Sequence, residues 1–258
     1  MTDDISPILN IAAYRFVEIA DPPALVTAIR AACEARSLKG TVLVAGEGIN
    51  VFLAGQSADI HGFLDWLSGD PRFADIEVKF SESQAVPFGR LRVKHKREII
   101  TFRQDGIRPI RGRAPSVDPT TLKRWLDQGC DDDGREVVLV DTRNAQESAH
   151  GSFAGALTLP IIKFTELGDA LETHRSDLAD KTIVSFCTGG IRCEKAAIWM
   201  NEAGYGNVLQ LEGGILGYFE QVGGDHYDGG CFVFDQRVVL TPELAPVMSV
   251  EPELATAP

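Results

Sequence analysis

A chain of 258 residues, 44% hydrophobic and 24% charged, has enough apolar side chains for one or two packed cores. No run approaches the roughly 20 apolar residues of a membrane helix, no basic-then-apolar leader opens the chain, and the cysteines at 33, 130, 187, 193 and 231 are too few and too scattered for a disulfide framework. These features predict free thiols in a reducing, cytoplasmic setting, and the net charge of −12 argues at first against a nucleic-acid partner.

The charge is unevenly spread. Residues 1–113 hold 15 Lys/Arg against 14 Asp/Glu, whereas residues 114–258 hold 10 against 23. Residues 88–113 alone carry nine Lys/Arg and only Glu98 and Asp105 as acids, a local excess of +7 that keeps a polyanionic partner in view.

In chain order, residues 8–19 are β-rich. Asp21-Pro22-Pro23 gives a stop and a helix start, and Leu25, Ile29, Ala32 and Cys33 carry helical spacing over 23–36. Gly40–Ala45 predicts a strand, Gly46-Glu47-Gly48 a turn, and Ile49–Leu53 the second arm of a hairpin. Ser57 is placed to cap a helix carrying Ile60, Phe63, Leu64 and Leu67, and Ile76–Phe80 predicts a further strand. This βαββαβ order is the ferredoxin-like, acylphosphatase-like pattern. Residues 90–102 continue as an extended segment in which Arg90, Arg92, Lys94 and Lys96 alternate with Leu91, Val93 and His95, so that period 2 puts the four cations on one face. Residues 105–116, with Gly106, Pro109, Gly112 and Pro115, predict a linker.

The second half alternates helices with apolar runs at Val137–Val140, Ile183–Phe186 and Val208–Leu211, the mark of a doubly wound parallel sheet. Helical patterns fall at 119–126, 163–173, 193–203 and 213–221. The acidic, proline-containing stretch after about residue 241 is expected to be disordered.

The run that carries chemistry is Phe186-Cys187-Thr188-Gly189-Gly190-Ile191-Arg192-Cys193. Cys187 falls at the carboxyl end of a buried strand, where open α/β sheets bind ligands. Gly189 and Gly190 allow successive N–H groups to turn inward as an anion nest, and the following helix adds its positive end. With Arg192 nearby, these features favour thiolate over thiol. A lone cysteine is more often a small buried hydrophobe; strand, glycine pair, arginine and helix in this order outweigh that. Cys193 stays open between core residue, resolving partner and second thiol. No metal-ligand spacing is present. Trp125, Trp199, Tyr205 and Cys231 read as core, and His150 and Asp141 as structural. The enzymatic reading requires a sulfur reachable from the mouth of the sheet.

Residues 117–222 resemble a rhodanese domain through Asp141-Thr142-Arg143, the segment His150–Ala156, the six-residue loop Cys187–Arg192 and Leu211-Glu212-Gly213-Gly214-Ile215. Together with Gly40–Asn50, Arg92–Ile100, Cys187–Lys195 and Gly230–Val238, the chain resembles the tRNA uridine hydroxylase family. The resemblance implies an α/β architecture: an N-terminal ferredoxin-like α+β domain (1–104), a linker (105–116), a rhodanese-like doubly wound domain (117–222) and a C-terminal tail (223–258). It implies oxygen-dependent 5-hydroxylation of the wobble uridine with Cys187 required and molecular oxygen as co-substrate; the five scattered histidines offer no flavin, haem or iron site. It also implies the anticodon loop of tRNA as partner rather than DNA or a membrane. Thr188, Gly189, Gly190, Ile191 and Arg192 form the active-site loop, and Arg90, Arg92, Lys94 and Lys96 are the candidate RNA contacts. The competing reading is a sulfurtransferase carrying a persulfide on Cys187, which leaves the first hundred residues unexplained.

Overall fold

The computed structural model describes residues 7–247. The first half runs β1 (Ile8–Phe16), α1 (Pro22–Glu34), β2 (Lys39–Ala45), β3 (Gly48–Gly55), α2 (Ser57–Ser68), β4 (Val78–Ser83) and β5 (Leu91–His95). Asp21 accepts the Ala24 N–H at 3.0 Å and two prolines fill the first turn of α1, where their missing N–H groups cost nothing. Ser57 is the first helical residue of α2 rather than its cap; Gln56 takes the cap position and makes no side-chain bond there.

The sheet order is β4-β1-β3-β2-β5, antiparallel except for the β2–β5 pair. Register assigns every side chain to a face. Ala13, Val51, Val42 and Val93 lie opposite one another across four strands and pack on α1 and α2, in a core closed by Ile29, Phe63 and Phe73. The adjacent row, Tyr14, Asn50, Leu43 and Lys94, therefore points to the other face, as does the row Ala12, Phe52, Thr41 and Arg92. That second face looks toward the other half of the molecule.

The extended segment expected over 90–102 forms a strand only to His95. Beyond it the backbone is held irregularly, with the Ile99 N–H donating to Glu47 at 2.8 Å and the Phe102 N–H to Glu98 at 3.0 Å. Arg92 and Lys94 thus stand within β5 and Arg90 and Lys96 flank it, all four exposed.

The second half contains β6 (Ser116–Val117), α3 (Pro119–Gln128), β7 (Val137–Asp141), α4 (Ala145–Ser148), β8 (Gly151–Phe153), β9 (Leu157–Thr158), α5 (Leu167–Glu172), β10 (Thr182–Phe186), α6 (Ile191–Glu202), β11 (Asn207–Leu211) and α7 (Gly214–Val222). Its parallel sheet has the order β6-β11-β10-β7-β9. One face packs on α5 and α6 through Leu167, Leu171, Ala196 and Met200, the other on α3 and α7 through Leu122, Trp125, Ile215 and Phe219. β10 lies at the centre and is buried along its whole length, which is why it reads as a largely apolar run, broken by Ser185.

Two segments are more ordered than their sequence predicts. Ile107 and Ala114 of the expected linker are buried in the second core, and its end becomes edge strand β6. After residue 222 the chain turns back through β12 (Tyr227–Gly229), paired with β8, and the hairpin of β13 (Cys231–Phe232) with β14 (Val239–Leu240). The stretch expected to be disordered starts as a hydrogen-bonded turn, with Thr241 N–H on Ala245 O at 2.8 Å and Val247 N–H on Val239 O at 2.9 Å. Residues 248–258 lie outside the described residues. Among the described residues no helix is long and apolar enough to cross a membrane.

Candidate active site

Cys187 follows the last residue of β10, and the backbone folds around its sulfur. The Gly190 N–H donates to Cys187 Sγ at 3.2 Å. Gly190 has φ +98°, and a Cβ there would stand 2.9 Å from the Tyr14 hydroxyl, so only glycine fits without strain. Gly189 has neither a positive φ nor a close neighbour, so the curl comes from Gly190 alone.

Helix α7 grips the loop from the opposite side. Its Ile215 and Leu216 N–H groups donate to the Cys187 and Thr188 carbonyls at 2.9 and 3.0 Å. Gly214, at φ +62°, permits this approach, since a Cβ would come within 2.5 Å of Cys187 O. The orphan donors of a helix N-terminus are thereby spent on the loop's carbonyls, leaving the loop's own N–H groups free to face the sulfur.

Burial pushes the Cys187 thiol up, but the Cys193 S–H, the Arg192 guanidinium and the N–H groups of Arg192 and Cys193 together outweigh it and bring the pKa down to about 6. The other thiols move the opposite way. Cys193 is raised by burial and by the neighbouring Cys187 sulfur, and burial pushes Cys231 up to about 12. Cys193 is fully buried with its sulfur 3.8 Å from Thr142 Oγ1, so it is a packed residue.

Arg192 is not a free cation beside the sulfur. It forks onto Glu147, with both Nη–Oε distances 2.6 Å and both side chains buried. Glu147 also accepts the Asn144 N–H at 3.1 Å. The signature Asn144-x-x-Glu147 could have marked this residue from sequence as a capping pair. At the neighbouring strand end Asp141 accepts the Arg143 backbone N–H at 3.0 Å and its guanidinium at 2.6 Å, and Thr142 Oγ1 donates to Phe186 O at 2.9 Å. This fixes the β7 end against the β10 end.

The thiol does not lie open. Cys187 is 1% exposed, against the requirement of a reachable sulfur. The first half of the chain packs against the same loop. Tyr14, from the second face of the N-terminal sheet, lies over Gly190 and donates to Glu194 at 3.0 Å, while Ala45, Ile99 and Ile191 form a small apolar seam with Tyr14 and Phe16. An ionic clamp locks the seam. Lys195 is 1% exposed, and its Nζ meets Glu47 and Glu98 at 2.8 Å each and Ile100 O at 3.1 Å. Arg113 pairs with Glu194 at 3.0 Å. None of Tyr14, Glu47, Glu98, Glu194 or Lys195 announces this in sequence, because each role exists only once the two halves dock.

The basic strand shares this surface. Lys94 and Tyr14 stand in one row three strand spacings apart, about 14 Å. Thr41, Arg90 and Arg92 line a cleft of ≈ 740 Å³ with Phe232 and Phe234. The structure thus brings Cys187 to Cys193 together as a loop and helix start, with Thr188 and Gly189 half-buried and the rest buried, and sets Arg90, Arg92, Lys94 and Lys96 on an exposed strip of the N-terminal sheet. His150 stacks on Phe232 with ring centroids 5.4 Å apart, and Trp125 and Tyr205 are core.

Fold and site define the class: a ferredoxin-like sheet domain closed over a rhodanese-like domain with a loop cysteine whose pKa is lowered. Family models agree, the UPF0176 acylphosphatase like domain matching residues 8–99 and the Rhodanese-like domain residues 118–221. Curated relatives include the tRNA uridine(34) hydroxylase of Xanthomonas euvesicatoria, 62% identical over 95% of this chain and 98% of the relative. That of Xylella fastidiosa is 58% identical over 93% of each. A solved rhodanese-like domain from Anabaena sp. aligns with 45% of this chain and 79% of its own at 22% identity and TM-score 0.36. The chain belongs to the tRNA uridine(34) hydroxylase family.

Proposed function

We propose that this protein is a tRNA-modifying oxidoreductase that hydroxylates the wobble uridine at C5 in the anticodon loop, in the cytoplasm, with molecular oxygen as co-substrate and Cys187 as the nucleophile. The observation that carries this reading is the Cys187 sulfur at the end of β10, which accepts the Gly190 N–H at 3.2 Å and has its pKa brought down to about 6, in a chain whose first half bears an exposed cationic strand. Uracil is electrophilic at C6. Cys187 Sγ bonds to C6 and places an electron pair at C5. C5 takes one oxygen atom and loses its proton, and expulsion of the thiolate restores the C5–C6 double bond. Uridine, O2, two protons and two electrons give 5-hydroxyuridine and water; a thiol reductant supplies the electrons.

The wobble base must be splayed out of the loop to react, and the sulfur is buried, with Tyr14 packed over the neighbouring Gly190. The reading therefore includes separation of the two halves at the Tyr14–Gly190 contact when RNA binds. Nucleoside mass spectrometry of tRNA from cells with and without this gene tests the function. Loss of 5-hydroxyuridine without the gene is expected, and an unchanged level would overturn the assignment.

Arg92 and Lys94 are the phosphate contacts of this reading, both exposed on β5. Charge reversal at both (R92E/K94E) is expected to weaken tRNA binding and to reduce the slope of log affinity against log salt by about 1 to 2. Reactivity of Cys187 toward a small alkylating probe should stay as in wild type. Binding curves at several salt concentrations decide it: an unaltered slope removes these two residues from the interface.

A further inference from the structure

The cleft beside the basic strand has a feature that phosphate binding does not use. Phe234 is 62% exposed in it, an unusual position for a large apolar ring. It sits on a turn that is firmly held. The Arg237 guanidinium forks onto Asp235 at 2.9 and 2.6 Å and reaches Ser81 Oγ at 2.7 Å, and the Gln236 N–H donates to Pro87 O at 3.1 Å. The ring edge-packs on Phe232 at 5.0 Å and 86°, and Phe232 in turn stacks on His150. The platform is thus pre-set, with little side-chain freedom left to lose on binding.

Two further observations say what it faces. Arg90 and Arg92 line the same cleft, and among the described residues neither is within salt-bridge distance of a carboxylate. Asp235, the acid in the lining, is already committed to Arg237. The cleft therefore presents an aromatic face beside uncompensated positive charge. The platform is also wired to the catalytic loop, since Thr188 Oγ1 donates to Phe232 O at 3.4 Å. An aromatic face flanked by guanidinium groups matches one ligand chemistry in particular, a single-stranded nucleotide with its base on the ring and its phosphate on the arginines.

We propose that this cleft is a stacking subsite for an unpaired base of the RNA loop that flanks the reacting uridine, with Phe234 as the stacking face and Arg90 and Arg92 holding the adjoining phosphates. The proposal rests on the RNA-modifying reading above and adds a site to it. The subsite recognises a base by its π-face, so it tolerates any of the four bases while requiring that one be unpaired. It holds the strand in place while the neighbouring base is offered to Cys187.

The test uses the full-length protein and an anticodon stem-loop RNA, with variants F234A, F234L and F234W. Binding is measured by fluorescence anisotropy and turnover by nucleoside mass spectrometry. F234A and F234L should weaken binding by about 5- to 100-fold, and F234W should retain it. An abasic residue introduced at the stacked loop position should weaken wild-type binding by a similar factor, yet have little further effect on F234A, the sub-additive signature of a direct contact. Wild-type affinity in both F234A and F234L overturns the subsite, as does an abasic penalty that adds in full to F234A at every loop position. Failure of the wild-type protein to form 5-hydroxyuridine overturns the functional reading itself, which is a separate outcome from either.

Discussion

Replacing Cys187 by serine is expected to lower 5-hydroxyuridine formation by about 10³-fold or more, since the step that activates uracil loses its nucleophile. The loop's N–H groups remain in place in C187S, but a serine hydroxyl is far too weak an acid for them to ionise. The electrostatic basis can be read without RNA. Cys187 is brought down to about 6, while Cys231 is held up at about 12 and Cys193 is also raised, so Cys187 is the most acidic of the three. Alkylation followed by peptide mass spectrometry should show Cys187 reacting slowly, because it is buried, with a half-point near pH 6. A half-point near that of a free thiol, about 8.5, would sink the account. Stability carries the same sign. The folded-state pKa lies below the unfolded one, so the thiolate's contribution is complete above about pH 9 and disappears as pH falls through about 6. Wild type should gain stability relative to C187S across that window.

The chemistry of the loop was legible because it is local. A buried strand, a residue with φ > 0 and a helix start follow one another within eight residues, and each leaves its own mark: the apolar run before Cys187, Gly190, and the amphipathic pattern after it. The stretch Leu211–Ile215 was legible as a motif but not as a mechanism. Only the folded chain shows that Gly214 lets the α7 N-terminus reach the Cys187 carbonyl. Closure of the site was not legible at all. Tyr14 lies 173 positions before Cys187, and nothing in a period-2 strand pattern says which face of an exposed sheet will meet a second domain. The same holds for Lys195, whose partners Glu47 and Glu98 come from a turn and a loop of the other half. Those partners also explain why the segment after His95 leaves the sheet: its N–H groups are taken by carboxylates instead of by a strand. The folding-back of residues 223–240 leaves no mark in the sequence for a related reason. Strands of two or three residues, such as β12 and β13, are too short to show a period and exist only by pairing with distant backbone.

Arg192 offers the sharpest separation between holding the fold and tuning the sulfur, because it does both through different atoms. Its two Nη groups are bound to Glu147 in a dry setting, while its positive charge and backbone N–H act on Cys187. Arg192→Met leaves Glu147 buried without a counter-charge, and breaking a buried pair in this way costs about 3–5 kcal/mol. In a chain of this size that is a loss on the order of 10 °C in melting temperature. The half-point for Cys187 alkylation should rise at the same time. The double variant E147L/R192M removes both charges, so it should recover most of the stability while leaving the half-point high. Glu147→Gln alone should move the half-point down, since the guanidinium then faces the sulfur without its neutralising carboxylate. Calorimetry and alkylation profiles across the three variants separate the roles. If R192M leaves the half-point unchanged, the N–H groups and Cys193 alone set the charge on Cys187. If E147L/R192M is no more stable than R192M, the fork is not the source of the stability.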